Sequence, residues 1–97
     1  MMTMHPAEYF VMSYVEPHRL NAADVAACLG VDQDVATHFL ARETCVTAEL
    51  AVRLSLAFGR SAESWMAMQS AHDLAHAKKT VKKDSVRPFS FPPTDAA

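Results

Sequence analysis

Glycine is almost missing from this 97-residue chain, which has 2, Gly30 and Gly59. A sheet protein needs glycine-bearing turns and β-branched runs. Both are lacking, so the fold reads as all-α. Cysteine is equally scarce: Cys28 and Cys45 are too few for a disulfide framework. Cys28 falls inside an apolar helical pattern and is expected as a buried free thiol, with Cys45 incidental. No apolar run approaches the roughly 18–20 residues of a membrane span. The opening Met1-Met2-Thr3-Met4-His5-Pro6 has neither the basic start nor the apolar stretch of a secretory signal, so a cytoplasmic location is expected. Internal repeats and low-complexity tracts are absent. Catalysis finds no support, because no glycine loop can cradle a phosphate and neither cysteine has a histidine partner nearby in sequence. No cofactor is expected.

What is present describes one folded domain: 51% of residues are hydrophobic and 21% charged. The net charge of −2 is unevenly spread. Residues 1–77 set Arg19, Arg42, Arg53 and Arg60 against nine acids, a balance of −5, while residues 78–97 carry +3. The composition therefore divides the chain into a domain over 1–79 and a basic tail over 80–97, which contains Pro88, Pro92 and Pro93. The tail reads as extended or disordered when alone, able to order on a partner.

Five helices follow from local signals. Pro6 suits a first helical position, Tyr9, Phe10 and Tyr14 recur at helical spacing, and Pro17 is expected to stop that helix. Asn21 and Asp24 form a capping-box pair that opens a second helix through Val25, Ala26 and Leu29, and Gly30 is placed as its left-handed end. Asp32 is expected to cap a third helix carrying Val35, Ala36, Phe39 and Leu40. Thr47 caps a fourth, whose apolar stripe is Leu50, Ala51, Leu54, Ala57 and Phe58, and Gly59 ends it. Ser61 and Glu63 begin a fifth, with Trp65, Met66, Met68, Ala71 and Ala75, fading at Lys78 and Lys79, where cations suit the C-terminal dipole.

The second and third helices are short and meet through Leu29-Gly30-Val31-Asp32. A brief helix, a tight glycine turn and another brief helix is the helix-turn-helix arrangement, which places the second helix in the DNA major groove. Other features read more simply. Trp65 on an apolar stripe packs in the core more readily than it anchors a partner. His72 and His76 have the four-residue spacing of two metal ligands but no third ligand nearby, so no metal site is expected. His38 stands either as a base reader, able to titrate as an operator switch, or as a plain exposed side chain.

The chain resembles the HigA family of antitoxins, a branch of the repressor-like (XRE-type) helix-turn-helix proteins, over about residues 5–80. The resemblance lies in His5-Pro6-Ala7-Glu8, Glu16-Pro17, Leu29-Gly30-Val31, Thr47-Ala48-Glu49-Leu50-Ala51-Val52-Arg53-Leu54 and Trp65-Met66-Ala67-Met68-Gln69-Ser70-Ala71-His72-Asp73-Leu74. It implies a five-helix lambda-repressor-like bundle, a homodimer, operator DNA as a partner, and a cognate toxin that is an mRNA-cleaving ribonuclease. Carried over position by position, it sets Gln33, Asp34, Thr37 and His38 against base edges and Asn21 and Arg42 near phosphates. Two departures stand out. Asp32-Gln33-Asp34 occupies the start of the reading helix, where the family usually has Ser and Arg or Lys. Ala41-Arg42 stands where the family often has Asn-Gly.

Two functions stay open on the sequence. One is an antitoxin that represses its own operon, with Gln33 pairing with adenine, Thr37 contacting bases and Asp34 accepting from cytosine N4. The other is a dimeric protein-interaction module of the same fold whose acidic reading face no longer binds DNA. The first is the leading reading; the acidic body weighs against it, because affinity for DNA rests mainly on neutralised phosphates.

Overall fold

The computed structural model describes residues 4–93; Met1, Met2 and Thr3, named in the reading above, and residues 94–97 of the tail lie outside the described residues. Among these residues there are five helices and no strand. Helix α1 is built from Pro6–Phe10, a π-helical turn Val11–Val15 and a last turn Glu16–His18. Then come α2 (Ala22–Leu29), α3 (Gln33–Leu40), α4 (Ala48–Phe58) and α5 (Ala62–Thr80). A single 3-10 turn, Lys83–Ser85, and extended chain follow.

Side-chain acceptors start most of these helices. Asn21 and Asp24 close a full capping box, at 2.8 and 3.0 Å, Thr47 accepts from Leu50 N–H, and Ser61 accepts from Ser64 N–H. Asp32 differs from expectation: it occupies the N-cap of α3, but its side chain makes no capping hydrogen bond. Its backbone carbonyl alone receives Val35 and Ala36 N–H. Gly30 and Gly59 end α2 and α4 in the left-handed region, at φ 69° and 94°.

Pro17 does not stop α1. A proline lacks the N–H that an α-turn needs and crowds the carbonyl four residues back. Here the helix widens ahead of it, with Glu16 N–H bonding Val11 C=O, and continues to His18. Arg19, left-handed at φ 53°, ends it instead.

Four helices meet through aromatic rings. Phe10 of α1 lies 5.4 Å from Phe39 of α3, 4.8 Å from Phe58 of α4 and 6.1 Å from Trp65 of α5. Phe10, Phe39 and Trp65 are fully buried, so Trp65 is a core residue, and α2 adds Val25, Ala26 and Leu29. Cys28 is exposed, contrary to expectation, because it falls off the side of α2 that Val25, Ala26 and Leu29 define. Ala57, Met66 and Ala71, expected on apolar stripes, are exposed too.

A buried amide locks the α3–α4 connection to α5. Gln69, 5% exposed, accepts from Val46 N–H at 2.7 Å and donates to Asp73 at 3.0 Å. At the opposite end of the chain, buried His5 starts α1: its Nδ1 accepts from Ala7 N–H at 3.0 Å, and its ring stacks edge-on against His72 at 5.0 Å. Burial, and next the neighbouring His72, hold the His5 imidazole below its ordinary pKa of about 6.5. The folded chain therefore binds fewer protons here than the unfolded chain once pH falls below that value. Stability from this group is fully present above about pH 6.5 and is lost as pH drops toward the lowered folded pKa. Urea unfolding from pH 8 to pH 5 should show this fall, and His5→Asn, which keeps a capping acceptor, should flatten it. Parallel pH profiles for the two chains would remove His5 as the cause.

Candidate nucleic-acid interface

The α2–α3 pair forms a helix-turn-helix. Its turn is sealed from outside by Arg53 of α4, whose Nη1 donates to the Leu29 carbonyl at 3.0 Å and the Gly30 carbonyl at 3.2 Å. The guanidinium is held in turn by Glu49, 3.2 Å from Nε. These carbonyls end α2 and have no helical N–H to accept from, so a cation there also meets the negative end of the dipole. A Cβ on Gly30 would lie 3.1 Å from that Nη1. Glycine therefore serves both the left-handed turn and the close approach of the guanidinium.

Helix α3 buries Ala36 and Phe39 and exposes Gln33, Asp34, Thr37 and His38. The fold thus gathers the four expected base-facing residues on one exposed helix surface. Asp34 and His38 also line an apolar groove of about 390 Å³ with Val31, Val35, Cys45 and Leu50. Asn21 and Arg42 are not brought together. Asn21 caps α2, and its Oδ1 is already engaged by Asp24 N–H. Arg42 follows the far end of α3 and pairs with Glu8 of α1 at 3.1 Å.

No family model matches the chain. The virulence-associated protein I of Dichelobacter nodosus is 34% identical to it over 79 residues, 81% of this chain and 73% of that protein. A solved addiction module antidote protein of the HigA family from Coxiella burnetii is 30% identical, covers 92% of this chain and 100% of its own, and superposes with a TM-score of 0.79. The chain belongs to the HigA family. The antitoxin GraA, solved in complex with its operator, is similar at 28% identity with a TM-score of 0.81, covering 94% of this chain and 95% of that one. The five-helix bundle expected from the resemblance is thus the observed fold.

The backbone gives one departure from the expected family pattern a physical meaning. Arg42, where the resemblance implied glycine, adopts the left-handed conformation at φ 63°. That geometry costs an L-residue roughly 1–2 kcal/mol. The sequence reading gave no role to three side chains that the structure brings forward. Arg53 and Gln69 stand within motifs quoted for the family, but their partners are 24 and 23 residues distant, beyond the reach of spacing arguments. Arg19 had a local signal, since it stands two positions ahead of the Asn21 cap. It is exposed, and the only one of the four arginines of residues 1–77 with no ion pair or side-chain hydrogen bond among the described residues.

Replacing Arg42 tests the strain directly. Arg42→Gly and Arg42→Ala both lose the Glu8 contact, and glycine alone escapes the left-handed penalty. The glycine variant should be more stable than the alanine variant by about 1 kcal/mol in urea unfolding. Equal midpoints would show that the position carries no strain.

Proposed function

We propose that this HigA-family chain is an antitoxin that binds its own operator DNA and represses its operon as a homodimer. The observation that carries this is the exposed polar face of α3, presented by a glycine-closed helix-turn-helix in a bundle that superposes on an operator-bound antitoxin. In the dimer two α3 helices lie one DNA turn apart, roughly 34 Å. Gln33, Thr37 and His38 read bases, Asp34 accepts from cytosine N4, and Asn21 and Arg42 lie near the phosphates. Its cognate toxin is a ribonuclease, bound outside the α3 face. This similarity supports a regulator over an enzyme and over a module with no DNA partner.

Charge decides which phosphate contacts are available. Arg42 is paired with Glu8, Arg53 is committed to the α2 carbonyls, and Arg60 donates to the Tyr9 hydroxyl while lying 4.8 Å over its ring. Arg19, beside the start of α2, is thus added to the phosphate set. Residues 1–79 form the DNA-binding unit and 80–97 a separate tail. This division is supported by a core whose last buried apolar residue is Trp65 and by the exposure of every residue from 81 to 93. No helix among the described residues is long and apolar enough to cross a membrane, which is compatible with the cytoplasmic site that this function requires.

Fluorescence anisotropy against DNA from immediately upstream of its own gene, with a scrambled duplex of equal length and several salt concentrations, tests the proposal. Binding should be selective for its own DNA, with a log–log salt slope reporting a few phosphates. Arg19→Ala should weaken binding across sequences and make the slope shallower by about 1, whereas Asp34→Ala should change sequence preference. Equal and feeble binding to both duplexes would overturn the operator reading.

A further inference from the structure

The end of α3 is closed so that its last exposed reader is tied to one acid. Arg42 in the left-handed region allows two reversing hydrogen bonds: Arg42 N–H donates to Phe39 C=O at 3.0 Å, and Glu43 N–H donates to His38 C=O at 2.9 Å. This is the Schellman closure of a helix. It returns Glu43 to His38, whose Nδ1 lies 2.8 Å from Glu43 Oε1. The same two residues are therefore joined through backbone and side chain.

The chemistry of that contact is one-sided. An ionised carboxylate only accepts hydrogen bonds, so the proton between the two groups belongs to Nδ1. A neutral imidazole carries one N–H, which leaves Nε2 as a lone-pair acceptor. Nε2 has no hydrogen bond among the described residues, and the His38 side chain is 56% exposed. In the major groove only adenine N6 and cytosine N4 offer N–H donors, while guanine and thymine present acceptors.

We infer that Glu43 is a positioning residue that sets the polarity of His38, so that His38 reads an exocyclic base amine and rejects guanine and thymine. This rests on the reading of α3 as the base-reading helix. Glu43 touches no base in this scheme; it acts through the tautomer it imposes.

The test uses the upstream duplex with each base pair of one half-site permuted in turn. One position should prefer adenine or cytosine by about tenfold, the discrimination typical of a single base pair, and His38→Ala should abolish that preference. In Glu43→Gln the side-chain amide can face Nδ1 with either its oxygen or its NH2 group, so both tautomers are allowed. The preference at that one position should fall below about twofold while the salt slope stays unchanged, since no phosphate contact is lost. Glu43→Asp, still acceptor-only, should keep the sign of the preference. Nitrogen-15 NMR of the free protein gives a readout independent of DNA: the neutral His38 proton should reside on Nδ1 in the native chain and be shared between the nitrogens in Glu43→Gln. Wild-type preference retained in Glu43→Gln, or a native proton on Nε2, overturns the inference and leaves operator binding intact. A native chain that does not distinguish its own duplex from the scrambled one removes the operator reading, and this inference with it.

Discussion

The guanidinium of Arg53 on the carbonyls of Leu29 and Gly30 is the contact from which the rest of the interface takes its geometry. A glycine turn permits a range of angles between two short helices and selects none of them. Three hydrogen-bonded fixed points select one: the two carbonyls that end α2 and the Glu49 carboxylate on α4. The turn is thereby attached to α4, whose first residues also wall the groove beside Asp34 and His38. The turn that leads into α3 is thus held by a residue that is part of neither helix of the motif.

The same contact shapes the electrostatics. A body with four arginines and nine acids has little positive charge to offer DNA, and the fold commits most of it internally. Arg53 neutralises the end of α2, Arg60 covers an aromatic ring and Arg42 is shared with α1. Asp32 and Asp34 meanwhile stand at the start of α3, where the helix dipole favours acids even without a capping hydrogen bond from Asp32. An interface of this kind draws more of its selectivity from base edges and less of its affinity from phosphates than a basic one does.

The far end of α3 shows how a local irregularity becomes a tertiary device. A left-handed arginine is strained where glycine would not be, yet its side chain reaches Glu8 and its backbone geometry returns Glu43 to His38. One residue thus links α1 to the end of α3 and arranges the last polar side chain of the exposed face. Further along the same connection, Gln69 performs a comparable task with a buried amide, satisfying Val46 N–H ahead of α4.

The sequence by itself determined the helices and most of their ends. Asn21 with Asp24, Thr47, Ser61, Gly30 and Gly59 act within one turn of their own position, so spacing alone reveals them. The family resemblance, and not periodicity, singled out Gln33, Asp34, Thr37 and His38, and the fold exposes all four on α3. Only the tertiary structure decided that α1 runs through Pro17 by widening, that Cys28 faces out, that Arg42 is paired and left-handed, and that Arg53 and Gln69 hold distant backbone. Those outcomes depend on how each helix is rotated against its neighbours. That rotation is set by packing Phe10, Phe39, Phe58 and Trp65 together, a contact among residues far apart in the chain that no local pattern encodes.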